Sequence, residues 1–310
     1  VDLLGGSPTI SLASLVDSEP TVQFLDTTLR DGEQAPGVSL SPDEKAEIAL
    51  ALDQAGVDFI EAGSAVTGAG ERETIKRVTG LGLDARVTSF ARGVQGDIDL
   101  ALECDVDGVT IVVPASDRHI EQKVGTTRAE VRETTASLVA YAKDHGLWTE
   151  VIGEDGSRAE LGYLRALMED ALAAGADRGC FADTVGHASP EQTHRYVSAL
   201  AELGPVSTHT HDDLGLGVMN ALVSIAAGAD VVHGTVNGIG ERAGNVALEE
   251  VAIVLAHCYD IETIDLTAVY HLAQVVSTST GIALAPNKAV IGENAFTHES
   301  GIHTDGTLKD

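Results

Sequence analysis

Lysine is scarce in this sequence. Six lysines and 13 arginines face 48 acidic side chains over 310 residues, a formal net charge of −29. The basic residues are scattered, and Lys76-Arg77 is the longest basic grouping. Duplex nucleic acid carries about one negative charge per 1.7 Å of axis, so a chain this acidic with no segregated basic patch is excluded from binding it. The same sign argument excludes an anionic membrane surface. Long hydrophobic runs are missing too. No stretch approaches the roughly 20 apolar residues of a membrane span, and the first 24 residues lack the basic n-region of a secretory signal. Cysteine is limited to Cys104, Cys180 and Cys258. An odd number at wide spacing fits neither a disulfide framework nor a zinc ribbon, and reads as small buried hydrophobes in a reducing compartment. Aromatics are only 4%, yet 44% of the residues are hydrophobic and recur along the whole length, which excludes disorder. The chain reads as a soluble, globular, cytoplasmic-type protein.

The acidic residues cluster in helix-like and loop segments, such as Asp43-Glu44, Glu71-Arg72-Glu73, Glu249-Glu250 and Asp260 to Asp265. Uncompensated like charge destabilises a compact state at low salt. At about 1 M salt the Debye length is about 3 Å and the repulsion is screened. The composition therefore predicts a salt-adapted protein.

One pattern dominates the chain. Short β-rich runs at Val22–Asp26, Val57–Glu61, Ala85–Phe90, Gly108–Val113, Trp148–Ile152, Arg178–Ala182, Val206–His211 and Val231–Val236 each precede an amphipathic helical stretch. Ser41-Pro42 with Glu44 predicts a capping box and a first-turn proline, and Gly56, Gly146 and Gly175 read as left-handed helix stops. Eight βα units over residues 21–262 match a (β/α)8 TIM barrel. An open doubly wound sheet is the alternative. The barrel is favoured because unusual polar residues sit at the C-terminal end of almost every strand: Arg30 and Asp31, Glu61, Ser89 and Arg92, Ser116, Glu154, Asp183 and Thr184, His209 and His211, Asn237 and Glu241. Residues 1–20 read as an N-terminal arm. Residues 263–310 hold one more helix-like stretch, Leu266–Ser279, and then a loop-rich end that stops at Asp310 without a closing element, as if a linker subdomain began there and the natural protein continued.

Thr208-His209-Thr210-His211-Asp212-Asp213 is the strongest chemical feature. Strand period 2 turns both imidazoles into the barrel lumen and Thr208 and Thr210 toward the helices. Two imidazoles on one face with carboxylates near are a metal-site arrangement. The segment FLDTTLRDGEQ delivers Arg30, Asp31, Glu33 and Gln34 into the first loop. Asp31 could complete a mixed oxygen and nitrogen site, and Arg30 offers a fixed cation for an oxygen that gains charge. After the eighth strand, Gly238, Gly240 and Gly244 give G-x-G-x-x-x-G with no Gly-Lys-Ser/Thr, so nucleotide binding is weakly supported. These glycines instead allow a tight turn that returns Asn245 to the mouth.

Together DTTLRDGEQ, EAGSAVT, ADTVG, HTHDDLGL, NGIGERAGN and HESGIH resemble the acetyl-CoA-dependent α-isopropylmalate, citramalate and homocitrate synthases, from about Val22 to the chain end. EAGSAVT with GERETI, and then DIDLALECDVDGVTIVVPASDRH, look closest to the archaeal-type citramalate synthases. The resemblance implies a Claisen-type condensation of acetyl-CoA with a 2-oxo acid, pyruvate being the first choice and 2-oxoisovalerate or a homocitrate-type substrate the alternatives. It implies one divalent cation (Mg2+, Mn2+ or Zn2+) on Asp31, His209, His211 and Asn245. Arg30 would stabilise the alkoxide, Thr184 would bind the substrate carboxylate, and Gln34 would line the pocket. Glu154 matches an acidic position after strand five, and His303 matches the histidine that takes the acetyl proton. The partners implied are small molecules and a second copy of the chain, in a homodimer that exchanges the C-terminal subdomain. A lyase of the hydroxymethylglutaryl-CoA type would carry a cysteine where this chain has Ala243-Gly244-Asn245, and a biotin-dependent carboxyltransferase would want a lumen lysine. A non-catalytic metal- or oxo-acid-binding barrel would not need these groups on five converging loops.

Overall fold

The computed structural model describes residues 20–295 together with Leu12, Leu15 and Thr297. Eight parallel strands close into a barrel in sequence order: β1 Gln23–Asp26, β2 Phe59–Glu61, β3 Arg86–Arg92, β4 Gly108–Pro114, β5 Trp148–Glu154, β6 Arg178–Asp183, β7 Val206–Thr210 and β8 Val231–Gly234. β8 returns to pair with β1 through Leu25 and His233, so no sheet edge is left open. The helices are α1 Pro42–Gln54, α2 Ala69–Thr79, α3 Gln95–Leu102, α4 Arg128–Asp144, α5 Leu161–Ala173, α6 Pro190–Ala201, α7 Gly217–Ala226, α8 Leu248–Tyr259 and α9 Val269–Thr280. The expected barrel is therefore the observed one, with element ends displaced by at most three residues. Among the described residues no helix is long and apolar enough to cross a membrane.

Local sequence explains the elements. Ser41 accepts from the Glu44 N–H while the Glu44 carboxylate accepts from the Ser41 N–H, completing the capping box ahead of Pro42. Gly56, Gly146 and Gly175 all take positive φ where their helices stop. Outward strand residues such as Phe24, Ile60 and Ile111 pack with the helices in the main core. The inward residues Leu25, Phe59 and Val231 form a separate layer with Trp148 inside the barrel. Above that layer a polar cluster is buried: Glu150 accepts from Ser207 Oγ at 2.6 Å and lies 3.1 Å from His233 Nε2 and 3.7 Å from Arg178. Burial opposes the Glu150 charge, but His233, Arg178 and Ser207 outweigh it and hold this carboxyl below its ordinary range.

A regular device ties the N-terminal end of the barrel. Asp58, Asp107, Asp177 and Asp230 each stand one residue before an even-numbered strand. Their carboxylates accept from Phe24, Val87, Thr149 and Val206 N–H groups, at 2.9, 2.8, 2.8 and 3.1 Å, at the start of the preceding odd-numbered strand. A strand start that would otherwise present an unpaired donor is thus satisfied four times by the same residue type.

One expectation needs correction. Cys104 and Cys180 are buried as expected, but Cys258 is exposed near the end of α8, where the helix turns it away from the barrel. A wide π-type turn over Arg118–Val124 follows β4, which periodicity at 3.6 or 2 does not anticipate.

Candidate metal and substrate site

His209 lies near the end of β7 and His211 directly follows the strand, both buried, while Thr208 turns outward to accept from Ser224 of α7 at 3.1 Å. The lumen-facing placement of the two imidazoles is therefore confirmed. Asp31 enters from the first turn after β1. Its Oδ2 lies 3.2 Å from His209 Nε2 and 3.9 Å from His211 Nε2, and the two Nε2 atoms are 3.4 Å apart. These three residues form a group whose ligand atoms lie within 4.8 Å of one another. Cis ligands around a six-coordinate cation at about 2.1 Å stand about 3 Å apart, which suits this spacing.

The protonation states agree with a cation site. Burial works against ionisation of Asp31, but Arg30 and the two histidines outweigh it and hold its carboxyl well below the usual range. Burial, then His209, pushes His211 down to about 4, so the ring is neutral at physiological pH. His211 Nδ1 lies 3.2 Å from the Gly244 carbonyl and donates to it, which leaves Nε2 with a lone pair toward Asp31. Asn245 pairs with His211 in an isolated antiparallel bridge, an arrangement that sets the two side chains on one face. Its Nδ2 donates to the Ile239 carbonyl at 3.2 Å, and its Oδ1 is buried without a hydrogen-bond partner. Asp31, His209 and His211 offer the mixed oxygen and nitrogen donors that suit a divalent cation, and the orphaned Asn245 oxygen sits on the residue bridged to His211. The glycine turn is strict: a Cβ on Gly244 would strike the Gly238 carbonyl, and one on Gly240 would strike the Asn245 amide.

Arg30 is held on three sides. Its Nε donates to Glu61 Oε2 at 2.6 Å, its Nη1 to Asp31 at 3.0 Å, and its guanidinium carbon sits 5.0 Å from the centre of the Phe90 ring. Burial opposes its charge, but Glu61 and Asp31 raise its affinity for the proton above the ordinary value. In the Arg30–Asp31 pair the carboxylate is buried and the guanidinium only partly so.

A cavity of about 240 Å3 opens above these groups, lined by Arg30, Asp31, Gln34, His209, His211, Thr184, Glu154 and Glu241 and by the apolar Phe90, Val112, Ile152 and Ala182. Thr184 Oγ1 accepts from the Asp155 N–H at 2.8 Å, so its own proton is free for the cavity. Glu154 is clasped by Lys123 at 2.6 Å and approached by His119 at 3.2 Å. Gln34 is exposed at the rim. His303 lies outside the described residues. Of the other strand-end residues, Glu61 and Glu241 belong to the site. Arg92 is drawn to Asp97, and Asn237 turns away to donate to the Ala273 carbonyl of α9.

Three contributors were missed in the sequence. Asp155, wholly buried with a left-handed backbone at φ 63°, binds Ser116, Arg158 and the Thr184 hydroxyl. His119 and Lys123 arrive on the π-type turn. The signal available was the unbroken run Glu154-Asp155-Gly156-Ser157-Arg158, in which an acid pair meets a tight turn.

The comparisons with known proteins agree with this geometry. A putative (R)-citramalate synthase of Methanothermobacter thermautotrophicus is 53% identical over 93% of this chain and 58% of its own length. A homocitrate synthase of Methanopyrus kandleri is 46% identical over 95% of this chain and 75% of its own length. The chain thus spans just under three fifths of the citramalate synthase relative. A solved HMG-CoA lyase described as from Acenitobacter baumannii, in complex with coenzyme A and 3-methylmalate, superposes with a TM-score of 0.78 at 23% identity, covering 91% of this chain and 98% of that one, and so shares its fold. The HMGL-like family model matches residues 21–276, and the chain belongs to the HMGL-like family.

Proposed function

We propose that the barrel condenses acetyl-CoA with a small 2-oxo acid, pyruvate first, and that water then hydrolyses the resulting thioester to release CoA and give (R)-citramalate. The convergence of Asp31, His209, His211 and Arg30 on one cavity carries this reading. It is supported by the names of the relatives, citramalate synthase and homocitrate synthase. Asp31, His209, His211 and Asn245 would hold one divalent cation, which when bound supplies Lewis acidity toward a keto oxygen. The chain's own groups do the rest. Arg30, fixed over Phe90 and pinned by Glu61, faces the oxygen that gains negative charge and needs no reorganisation to meet it. The Thr184 hydroxyl, its lone pair engaged by Asp155, donates to the substrate carboxylate. Gln34 borders the entrance, and Glu154 offers an acceptor on the opposite wall. Phe90, Val112, Ile152 and Ala182 surround the substrate's side chain and suit a short alkyl group. We assign removal of the acetyl methyl proton to His303, brought by an exchanged subdomain in a homodimer.

The reading is tested by a CoA-release assay in molar KCl over a panel of 2-oxo acids, with and without chelator. Pyruvate is expected to turn over fastest and chelator to abolish the reaction. Fastest turnover with 2-oxoisovalerate would reassign the substrate, and full activity after exhaustive chelation would remove the metal from the mechanism.

A further inference from the structure

Lys45 of α1 is 1% exposed and stands among the largest fully buried side chains of a protein with only six lysines. An ammonium has three donors and no acceptor, and buried ones require every donor to be met. Here Nζ lies 3.0 Å from the Leu29 carbonyl, 2.9 Å from Glu71 Oε1 and 2.7 Å from Glu33 Oε2. Two of these acceptors come from the loop after β1 and the third from α2. Leu29 immediately precedes Arg30 and Asp31. Glu33 lies in the turn Gly32–Gln34, and its other oxygen accepts from the Leu40 N–H at 3.0 Å, closing that loop on itself. Glu71 belongs to α2, and a Cβ placed on Gly63 would strike its carboxylate, so it is packed against the loop that follows Glu61. Arg30 is thus gripped from inside the barrel by Glu61 at the end of β2, while the loop that carries Arg30 is tied from outside by Lys45 to α2, which packs on the loop after β2.

We propose that Lys45 is a positioning residue: its ammonium registers the β1 loop against the β2 loop and so sets Arg30 and Asp31 for metal and substrate. The proposal rests on the reading of the site given above, and it concerns a group that touches neither ligand. Without the cation, the Glu33 and Glu71 carboxylates repel each other across the joint, and the loop bearing Arg30 and Asp31 shifts while the barrel remains.

The test compares Lys45→Met with Lys45→Arg in the intact protein. Outer partners of metal ligands change affinity or activity by about 10- to 100-fold. Lys45→Met is expected to weaken Mn2+ binding, measured by titration, by about 10-fold or more and to lower kcat by a similar factor, with less effect on KM. Hydrogen exchange should accelerate in residues 27–40 and 62–71 and stay unchanged in β4 to β7. Lys45→Arg, which keeps the charge, should recover most of the loss. If Lys45→Met does not fold, Glu71→Gln, which leaves Glu33 and the Leu29 carbonyl on the ammonium, should move the same readouts in the same direction. A lower melting temperature with wild-type Mn2+ affinity, wild-type kcat and evenly spread exchange would show a merely structural lysine and overturn the proposal. A wild-type protein that releases no CoA with any 2-oxo acid would overturn the condensation reading alone, because Mn2+ binding and exchange still decide the role of Lys45.

Discussion

At the C-terminal mouth, Asp31 and Glu61 share one guanidinium, and Asp31 faces two imidazoles. At the opposite end, Asp58, Asp107, Asp177 and Asp230 each accept one backbone N–H. The same functional group does different work at the two ends because its partners differ. Glu61 at the end of β2 and Asp31 in the first loop meet a guanidinium in the lumen, although Asp26 and Asp183, which also end strands, accept backbone N–H groups nearby. Each aspartate at the base meets a neighbouring backbone donor and is consumed by it. Chemistry at the mouth and cohesion at the base are therefore separable in one acidic chain.

That separation can be broken experimentally. The largest effect is expected from His209→Ala. Loss of a metal ligand removes several kcal/mol of charge stabilisation, about 10³-fold in turnover, while the thermal midpoint of the metal-free protein hardly moves. A parallel fall in that midpoint would mean that the mouth also carries stability.

Next comes pH. Burial pushes the carboxyls of Asp26 and Glu249 up to about 7. A raised acid keeps a proton that the unfolded chain has released, so its contribution is complete below about pH 4 and is lost as pH rises through 7. For Glu249 the loss is about 3 kcal/mol. Glu249→Gln keeps an acceptor for the Asn237 N–H, which Glu249 now supplies at 3.0 Å, and should flatten the decline in denaturation midpoint between pH 5 and 8. An unaltered slope in that variant would assign the decline elsewhere.

Asp107→Ala or Asp58→Ala should each cost about 1–3 kcal/mol, the penalty for an unpaired backbone donor. Urea melts would show the loss, and kcat per folded molecule should stay at the wild-type value. A change in kcat would breach the division between base and mouth. The smallest effect concerns salt. Screening of like charge predicts that molar KCl raises the thermal midpoint, and exposed pairs such as Arg77–Asp43 and Lys76–Glu73 contribute about 0–1 kcal/mol each. A midpoint that falls with KCl would refute the salt-adapted reading of the composition.

The barrel was legible because eight strand-then-helix periods recur in order, punctuated in places by a cap such as Ser41 or a stop such as Gly56, Gly146 and Gly175. His209 and His211 were legible because alternation along a strand settles which side they face. Glu61 was visible as an unusual strand-end acid, but its grip on Arg30 was not, since that contact joins residues 31 apart whose facing depends on barrel closure. Asp155 was hidden by its left-handed backbone, which no pattern of hydrophobicity encodes. The π-type turn carrying His119 and Lys123 escaped for a related reason, its period matching neither a helix nor a strand. The four base aspartates were in plain sight, one residue before every second strand, but their regularity emerges only when the strands are paired.

Those four aspartates also bear on how the chain reaches its fold. Each joins residues only 20 to 34 apart, whereas the seam between β8 and β1 joins residues more than 200 apart. Short loops close at less entropic cost than long ones. The chain is therefore divided into four βαβ quarters, each latched by its own carboxylate, and the seam, which lacks such a latch, is the joint expected to form last and open first.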